Sequence, residues 1–206
     1  MEETFIAAFI SLFVIIDPVG LAPIFGSLTQ DTPVAHQRKM ALLGSFIGLI
    51  ILVLFAVGGE SFLRALGISM DALKIAGGIM LFIMALEMVF EKRGERKQEA
   101  ADKIDEYFDD VSVFPVAMPL VAGPGAITTI MLLMAHETGN IEGQAAVLAA
   151  LLVVMLITLL VFFMAGKVMK FMGPSVSAIL TRLLGMILAA LAAQFIIDGT
   201  TSAFLG

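Results

Sequence analysis

The sequence is poor in charge and contains no cysteine. Charged residues make up 15% of its 206 positions and hydrophobic residues 60%, whereas about a quarter of a soluble domain is charged. With a mean hydropathy of +1.04, this composition excludes a soluble globule. The absence of cysteine excludes disulfides, thiolate nucleophiles and thiolate metal sites together.

Several kinds of chemistry lack the residues that they need. No cluster of His, Asp and Glu has metal-ligand spacing, and no P-loop motif is present, so the sequence predicts no metal site and no direct use of ATP. The net charge of −6 lies largely in 91–110, which holds eight acids against five bases, and the sequence has no basic patch for nucleic acid. An intramembrane enzyme would need a nucleophile with its base, and the apolar runs contain no such pair. We therefore expect no enzymatic activity, no cofactor and no nucleic-acid partner.

Six charge-poor runs have the length of membrane spans or come close to it. Crossing the hydrocarbon core takes about 20 apolar residues of helix. The runs are Thr4–Leu28, Met40–Gly59, Ile75–Phe90, Val111–Ala135, Gln144–Gly166 and Leu183–Ile197. The last is short unless its flanks are added. The sequence thus predicts an all-α membrane protein of six transmembrane helices. Its acidic start lacks the basic region of a signal peptide, so we expect the first helix to be retained.

Lysine and arginine are distributed unevenly between the two sides of this predicted topology. The N-terminus, the C-terminus and the segments after the second and fourth runs carry only Arg64 and Lys74. The segments after the first, third and fifth runs carry ten: Arg38, Lys39, Lys92, Arg93, Arg96, Lys97, Lys103, Lys167, Lys170 and Arg182. Because basic loops stay in the cytoplasm, this bias predicts a multi-pass protein of the cell (inner) membrane with both termini outside.

The two halves of the chain resemble each other at their first spans. An offset of 106 residues places 13–25 over 119–131. The Asp-Pro-Val-Gly of 17–20 then matches the Gly-Pro-Gly-Ala of 123–126. In both halves a proline follows a small or capping residue in the middle of an apolar run.

The third spans of the two halves align as well. An offset of 108 places 73–88 over 181–196 and pairs Lys74 with Arg182. Each half has three spans, and this odd number makes the two copies cross the membrane in opposite senses. The sequence therefore predicts one membrane domain built from two inverted repeats, 1–91 and 113–206, joined by a charged cytoplasmic linker, 92–112. A solvated connector is the favoured interpretation of the linker, with a regulatory role as the alternative.

Each half opens with a helix that proline interrupts. Pro18 and Pro23 cannot both sit in an unbroken helix, because each removes a backbone hydrogen bond. Asp17 and Pro18 are typical of an N-cap and a first helical residue. Glycines flank Pro124 and let the chain leave helical geometry. The alternative is a pair of simple proline kinks.

Both interruptions fall about 13 residues into their spans, near the midplane, and would point two positive helix ends toward a common centre. That arrangement suits a carboxylate or another anion. Inverted repeats with broken helices recur among secondary transporters. The predicted substrate site consists of Asp17, Pro18, Gly20, Gly123, Pro124, Gly125, Thr128 and Thr129.

A second group of polar residues is a candidate for coupling or gating. Asp17 is the one acid in the interior of a span, where charge costs at least about 2.5 kcal/mol. Asp17 can have a functional role, as a proton site, a sodium site or a ligand contact, or it can only cap its own half-helix. The functional role and the capping role are compatible. Lys74 and Arg182 fit residues that snorkel to the interface, with a gate as the alternative. Gln194 lies deep enough to hydrogen-bond across helices.

Four segments resemble the signatures of the MarC family of bacterial and archaeal membrane proteins. They are IDPVGLAPIF (16–25), LKIAGGIMLF (73–82), FPVAMPLVAGPGAIT (114–128) and LTRLLGMILAALAAQFIIDG (180–199). The resemblance implies a six-helix inner-membrane protein, and one branch of the family is described as transporters of neutral amino acids such as glycine and alanine. Many members have Asn at the position of Asp17, which leaves both a charged coupling site and an amide-like cap open.

These observations together predict a secondary transporter of small solutes, with neutral amino acids favoured, that works by alternating access around a midplane site. Coupling to Na⁺ or H⁺ stays open. The alternatives are a membrane scaffold or assembly protein without transport activity, and an exporter of another small metabolite. The expected partners are a small-molecule substrate and membrane lipids, and a homo-oligomer is compatible with the sequence.

Overall fold

A computed structural model of the protein describes residues 1–29, 32–90 and 121–205. Within these ranges the chain is helical and contains no strand. The helices are α1 (Glu2–Ile16), α2 (Pro18–Thr29), α3 (Val34–Ala65), α4 (Met70–Val89), α5 (Pro124–His136), α6 (Ile141–Phe163) and α7 (Ala165–Leu205). The predicted linker, 92–112, and the residues that would open the fourth span, 113–120, lie outside the described residues.

Five described segments are long and apolar enough to cross a membrane. They are Glu2–Gly26, Val34–Ala65, Met70–Val89, Ile141–Phe163 and Ala178–Phe204. The apolar helix α5 is shorter, with 13 residues, because it starts at Pro124, inside the predicted fourth span. The all-α membrane class is confirmed, and five of the six predicted spans have a counterpart of spanning length.

The helices extend beyond the apolar runs that predict them. α3 begins at Val34 instead of Met40, and the Gln37 side chain donates to the Thr29 carbonyl at 2.7 Å. α7 runs for 41 residues, although the sixth apolar run has only 15. Polar residues do not end a helix at a membrane surface, where water satisfies their side chains, so hydropathy underestimates helix length there.

Short capped turns connect the spans at one end of the molecule. α3 ends before Gly67, whose φ of 72° is the left-handed conformation common at helix C-termini. The Ser69 hydroxyl then accepts the Ala72 N–H at 3.1 Å and starts α4. Asn140 caps α6 in the same way, accepting the Gly143 N–H at 3.1 Å.

The helices α4 and α7 form a close antiparallel pair. Gly199 on α7 lies against Ile75, and Gly185 lies against Met88 at the other end of α4. A Cβ on Gly78 would come within 2.8 Å of the Ala192 carbonyl oxygen. Small residues of this kind let membrane helices approach closely.

The two chain termini lie at the same end of the molecule. The Thr4 hydroxyl contacts the Glu137 carboxylate at 3.4 Å, and Thr138 beside it contacts Glu60 near the end of α3 at 3.2 Å. α4 starts just after α3, and the C-terminal part of α7 packs against that start. We refer to this as the N-terminal end.

Candidate functional site

The first helix break is centred on Asp17, which ends α1 and starts α2. Its backbone is left-handed, with φ 54° and ψ 64°, and its N–H donates to the Phe13 carbonyl at 2.9 Å. Its carbonyl accepts the Leu21 N–H at 3.0 Å, and its Oδ1 accepts the Gly20 N–H at 3.0 Å. The predicted cap is confirmed.

The Asp17 carboxylate is buried, with 3% of the residue exposed, and it rests on the positive N-terminal end of α2. Gly20 leaves the space for it, because a Cβ at Gly20 would collide with both carboxylate oxygens. Pro18 occupies the first helical position, and α2 continues through Pro23. The chain therefore breaks once, at Asp17, and tolerates the second proline.

The second helix break lies at Gly123 and Pro124. Gly123 caps α5 with φ −70° and ψ 168°, and its carbonyl accepts the Ile127 N–H at 3.1 Å. The sequence predicts that Gly123 uses glycine's conformational freedom. This prediction is wrong, because any residue adopts the extended backbone that Gly123 has. Gly125 is closely packed: a Cβ there would displace the end of the Met84 side chain and lie 3.3 Å from Leu81.

The two predicted threonines follow one turn into α5. Thr128 is mostly buried and its methyl group lies against Gly77 of α4. Thr129 is fully buried, and its hydroxyl has no hydrogen-bond partner among the described residues. The Ser45 hydroxyl on α3 is in the same situation. A buried hydroxyl without a partner costs about 1–3 kcal/mol, which a bound polar ligand or water would recover.

No functional motif in the sequence marks Ser45. The residue lies within the small-residue pattern of Gly44 to Gly48 on α3, and that pattern is also typical of simple helix packing. Only the missing hydrogen-bond partner of the Ser45 hydroxyl in the folded protein distinguishes a ligand-binding residue from a simple packing residue.

The two breaks lie at about the same depth. α1 and α5 pack together, and the contact between Thr4 and Glu137 fixes their relative height. Thirteen residues separate Thr4 from Asp17, and thirteen separate Glu137 from Pro124. Each stretch is about 20 Å of helix, so both breaks lie roughly that far from the N-terminal end.

The structure does not connect the other gating candidates with the breaks. Lys74 pairs with Asp71 at 3.1 Å at the N-terminal end of the molecule. Arg182 lies at the opposite end of the α4–α7 pair. The Gln194 amide donates to Asp198 on its own helix at 2.7 Å, and both side chains are exposed.

A cavity of about 180 Å³ lies between α3, α5 and α6. Its walls include Ala56, Glu60, Met131, Met134 and Gln144. Met131 is seven residues beyond Pro124, so the cavity lies about 10 Å from the second break, toward the N-terminal end. No sequence signal predicts this cavity, because its lining residues come from three helices and share no motif.

The described ranges contain no group of three or more His, Cys, Asp or Glu residues that could hold a metal ion. The chemistry available at the breaks is therefore that of helix ends, hydroxyl groups and one carboxylate. These groups can bind a small polar molecule and exclude water from it.

Comparison with known proteins identifies relatives along almost the entire chain. Residues 2–204 match a model of the MarC family, described as integral membrane proteins. A UPF0056 membrane protein of Methanocaldococcus jannaschii is 42% identical, with 98% of each chain covered. One from Pyrococcus horikoshii is 35% identical over 98% of this chain and 96% of its own. One from Bacillus subtilis is 33% identical over 99% and 97%. No solved structure matches the chain.

Proposed function

The chain belongs to the MarC family of integral membrane proteins, and we propose that it is a secondary transporter of small solutes, with neutral amino acids such as glycine and alanine as favoured substrates. One observation carries the proposal: two helices begin inside the protein at equal depth, at Asp17–Pro18 and Gly123–Pro124. Irregular backbone at membrane depth is tolerated where it lines a cavity or is buried in protein, and transporters use such half-helix ends to hold substrates.

We further propose that the chain forms two inverted three-helix repeats. The packing supports this, because α4 packs against its counterpart α7, and α3 packs against its counterpart α6. α2 and α5 are also counterparts. The contact between α5 and α3 corresponds to the contact between α2 and α6, and the contact between α5 and α4 corresponds to the contact between α2 and α7. The proposed twofold axis would generate this pattern, and the antiparallel packing of α4 and α7 supports an axis in the membrane plane.

The proposed substrate is a zwitterion held between the breaks. The N–H groups of Gly125 and Ala126 have no acceptor within α5, as in the first turn of any helix, and they suit a carboxylate. The unpartnered Thr129 hydroxyl adds one hydrogen bond. Asp17 supplies the negative charge for an ammonium group. The resemblance to the family branch of neutral amino-acid transporters favours small side chains such as those of glycine and alanine.

We place the protein in the cell (inner) membrane with both termini outside. The loop charges support this orientation, although five of the ten basic residues of the cytoplasmic set lie outside the described residues. Both termini lie at one end of the molecule, as an even number of spans requires. The alternative function, a scaffold without transport activity, would leave the unpartnered hydroxyl and the two internal helix ends without a use.

Counterflow in proteoliposomes tests the function. We expect purified protein to exchange internal unlabelled glycine or alanine for external labelled amino acid with saturable kinetics, above liposomes without protein. Repeating the assay with sodium and proton gradients identifies the coupling ion. Absence of saturable exchange for every neutral amino acid, under all gradients, would contradict the proposal.

A further inference from the structure

The cavity between α3, α5 and α6 is lined by both proposed repeats. Ala56 and Glu60 belong to the first repeat, and Met131 and Gln144 to the second. Glu60 accepts a hydrogen bond from Thr138 in the turn that joins α5 to α6, so the cavity is located at the N-terminal end. An opening between the repeats at one end is the place where alternating access admits a solute.

The repeat alignment identifies the corresponding position at the opposite end of the molecule. The offset of 106 residues that aligns the first spans carries Met131 onto Phe25, and the same offset, extended to the second spans, carries Ala56 onto Phe162. The rings of Phe25 and Phe162 stack with centroids 4.5 Å apart and 14° between their planes. Both residues are 2% exposed. The same pair of positions thus borders a cavity at the N-terminal end and is filled by two stacked rings at the other.

From this asymmetry we propose that the α3–α5–α6 cavity is the entry site for a small solute carrying an ammonium group, and that the Phe25–Phe162 pair is the gate that closes the equivalent path at the opposite end. This inference rests on the proposed transport function and on the inverted repeats. It assigns the structure to the state open at the N-terminal end.

The polar groups of the cavity support an ammonium ligand. Among the described residues that line it, Glu60 is the one that is charged, and Gln144 adds a carboxamide. The Glu60 carboxylate is 38% exposed and pairs with Arg64 at 2.8 Å, but Arg64 is 79% exposed. Exposed ion pairs contribute little, so an incoming ammonium group can replace Arg64 on Glu60. The methionine walls fit a flexible, mostly apolar passage.

Single cysteines test the inference directly, because the natural chain has none. Met134 lines the cavity, and the same offset of 106 makes Leu28 its counterpart at the other end. We expect Met134→Cys to react with a membrane-impermeant thiosulfonate reagent added to right-side-out vesicles. We expect Leu28→Cys in inside-out vesicles to react with the same reagent at least tenfold more slowly than Met134→Cys does in right-side-out vesicles.

Removal of the Phe25–Phe162 gate should make Leu28→Cys accessible to the reagent. Phe162→Ala in the Leu28→Cys background is expected to raise the rate of labelling at least tenfold. Phe9→Ala is the matched control, because Phe9 also stacks with neighbouring rings but on α1, and it should leave Leu28→Cys protected. The double variant Phe25→Leu/Phe162→Leu removes the rings but keeps a branched apolar side chain at both positions, so it replaces Phe162→Ala if that variant unfolds.

Glycine and methylammonium serve as probes of the entry site. Each is expected to slow the labelling of Met134→Cys several-fold, and Glu60→Gln should abolish this protection. The proposed entry site is wrong if Met134→Cys does not react, or if neither glycine nor methylammonium protects it. The proposed gate is wrong if Leu28→Cys and Met134→Cys are labelled at equal rates. If labelling follows the expectation but counterflow fails, the access path stands and the proposed amino-acid transport is wrong.

Discussion

At the scale of single residues, Asp17 performs two structural tasks that usually require two residues. Its left-handed backbone ends α1, and its side chain caps α2. Asn and Asp adopt this conformation more readily than other residues with a Cβ. An amide oxygen can accept the Gly20 N–H as a carboxylate oxygen does, which is consistent with the Asn that, by the family resemblance, many members carry in place of Asp17.

Substitutions at Asp17 should therefore separate capping from charge. Asp17→Ala is expected to lower the free energy of unfolding by about 2–3 kcal/mol, since it loses the cap and places alanine in a left-handed conformation. Asp17→Asn should keep the wild-type stability to within about 0.5 kcal/mol, because it preserves the cap. Thermal or denaturant unfolding in detergent measures both. Equal losses in the two variants would show that the charge, and not the cap, holds the break together.

Thr129 offers the sharpest residue-level test of the substrate site. Thr129→Val keeps the shape of the side chain and removes a buried hydroxyl that has no partner, so stability should be unchanged or higher. Exchange should fall about tenfold, as expected for the loss of one substrate hydrogen bond of about 1.4 kcal/mol.

Thr158→Val is the matched control for this experiment. Thr158 is also fully buried, but its hydroxyl donates to the Val154 carbonyl of its own helix at 2.8 Å. Exchange should stay at the wild-type rate in this variant. A similar loss of exchange in both variants, or none in Thr129→Val, would contradict the role of Thr129 as a ligand.

At the scale of helices, the positions of α4 and α7 depend on glycines at their contact. Gly78 faces the backbone of α7, with the Ala192 carbonyl oxygen 2.8 Å and the Ile196 nitrogen 3.1 Å from where a Cβ would be. Backbone atoms cannot move aside as a flexible side chain does. The absence of a Cβ at Gly78 therefore sets the distance between α4 and α7.

Gly78→Ala should force α4 and α7 apart. We expect a loss of about 1–3 kcal/mol in unfolding free energy, the usual cost of overpacking. Gly58→Ala on α3 is the control, because a Cβ there would meet nothing within 4 Å and alanine favours helix over glycine. Melting temperatures in detergent should fall for the first variant and hold or rise for the second. Equal melting temperatures would show that the pair can relax.

At the scale of the whole molecule, the position of both termini at one end constrains the orientation in the membrane. Leu66 lies in the turn between α3 and α4 at the N-terminal end, whereas Ala35 lies at the start of α3 next to Arg38 and Lys39. Both residues are exposed, so each is a suitable reporter of one side.

Cysteine labelling in intact cells measures this orientation. Leu66→Cys is expected to react with an impermeant maleimide added outside, because its end of the molecule carries few basic residues. Ala35→Cys should react only after the membrane is permeabilised. The reverse pattern would place the termini in the cytoplasm and contradict the predicted orientation, while labelling of both from outside would contradict the span assignment of α3.

The sequence by itself determined the all-α membrane class and the break at Asp17. A run of apolar residues must cross the bilayer as a helix, because only a helix satisfies its own backbone there, and Asp-Pro has the local chemistry of a helix start. Such signals lie in neighbouring residues and need no knowledge of the rest of the chain. The domain boundaries and the coupling roles of Lys74, Arg182 and Gln194 stay predictions.

Only the tertiary structure decided what the buried residues face. The unpartnered hydroxyl of Thr129, the packing role of Gly125 and the cavity beside Glu60 arise where helices far apart in sequence meet. Helical periodicity assigns a residue to a face of its own helix but does not specify the neighbouring helix. For that reason the proline breaks were readable from the sequence, whereas the cavity and the stack of Phe25 on Phe162 were not.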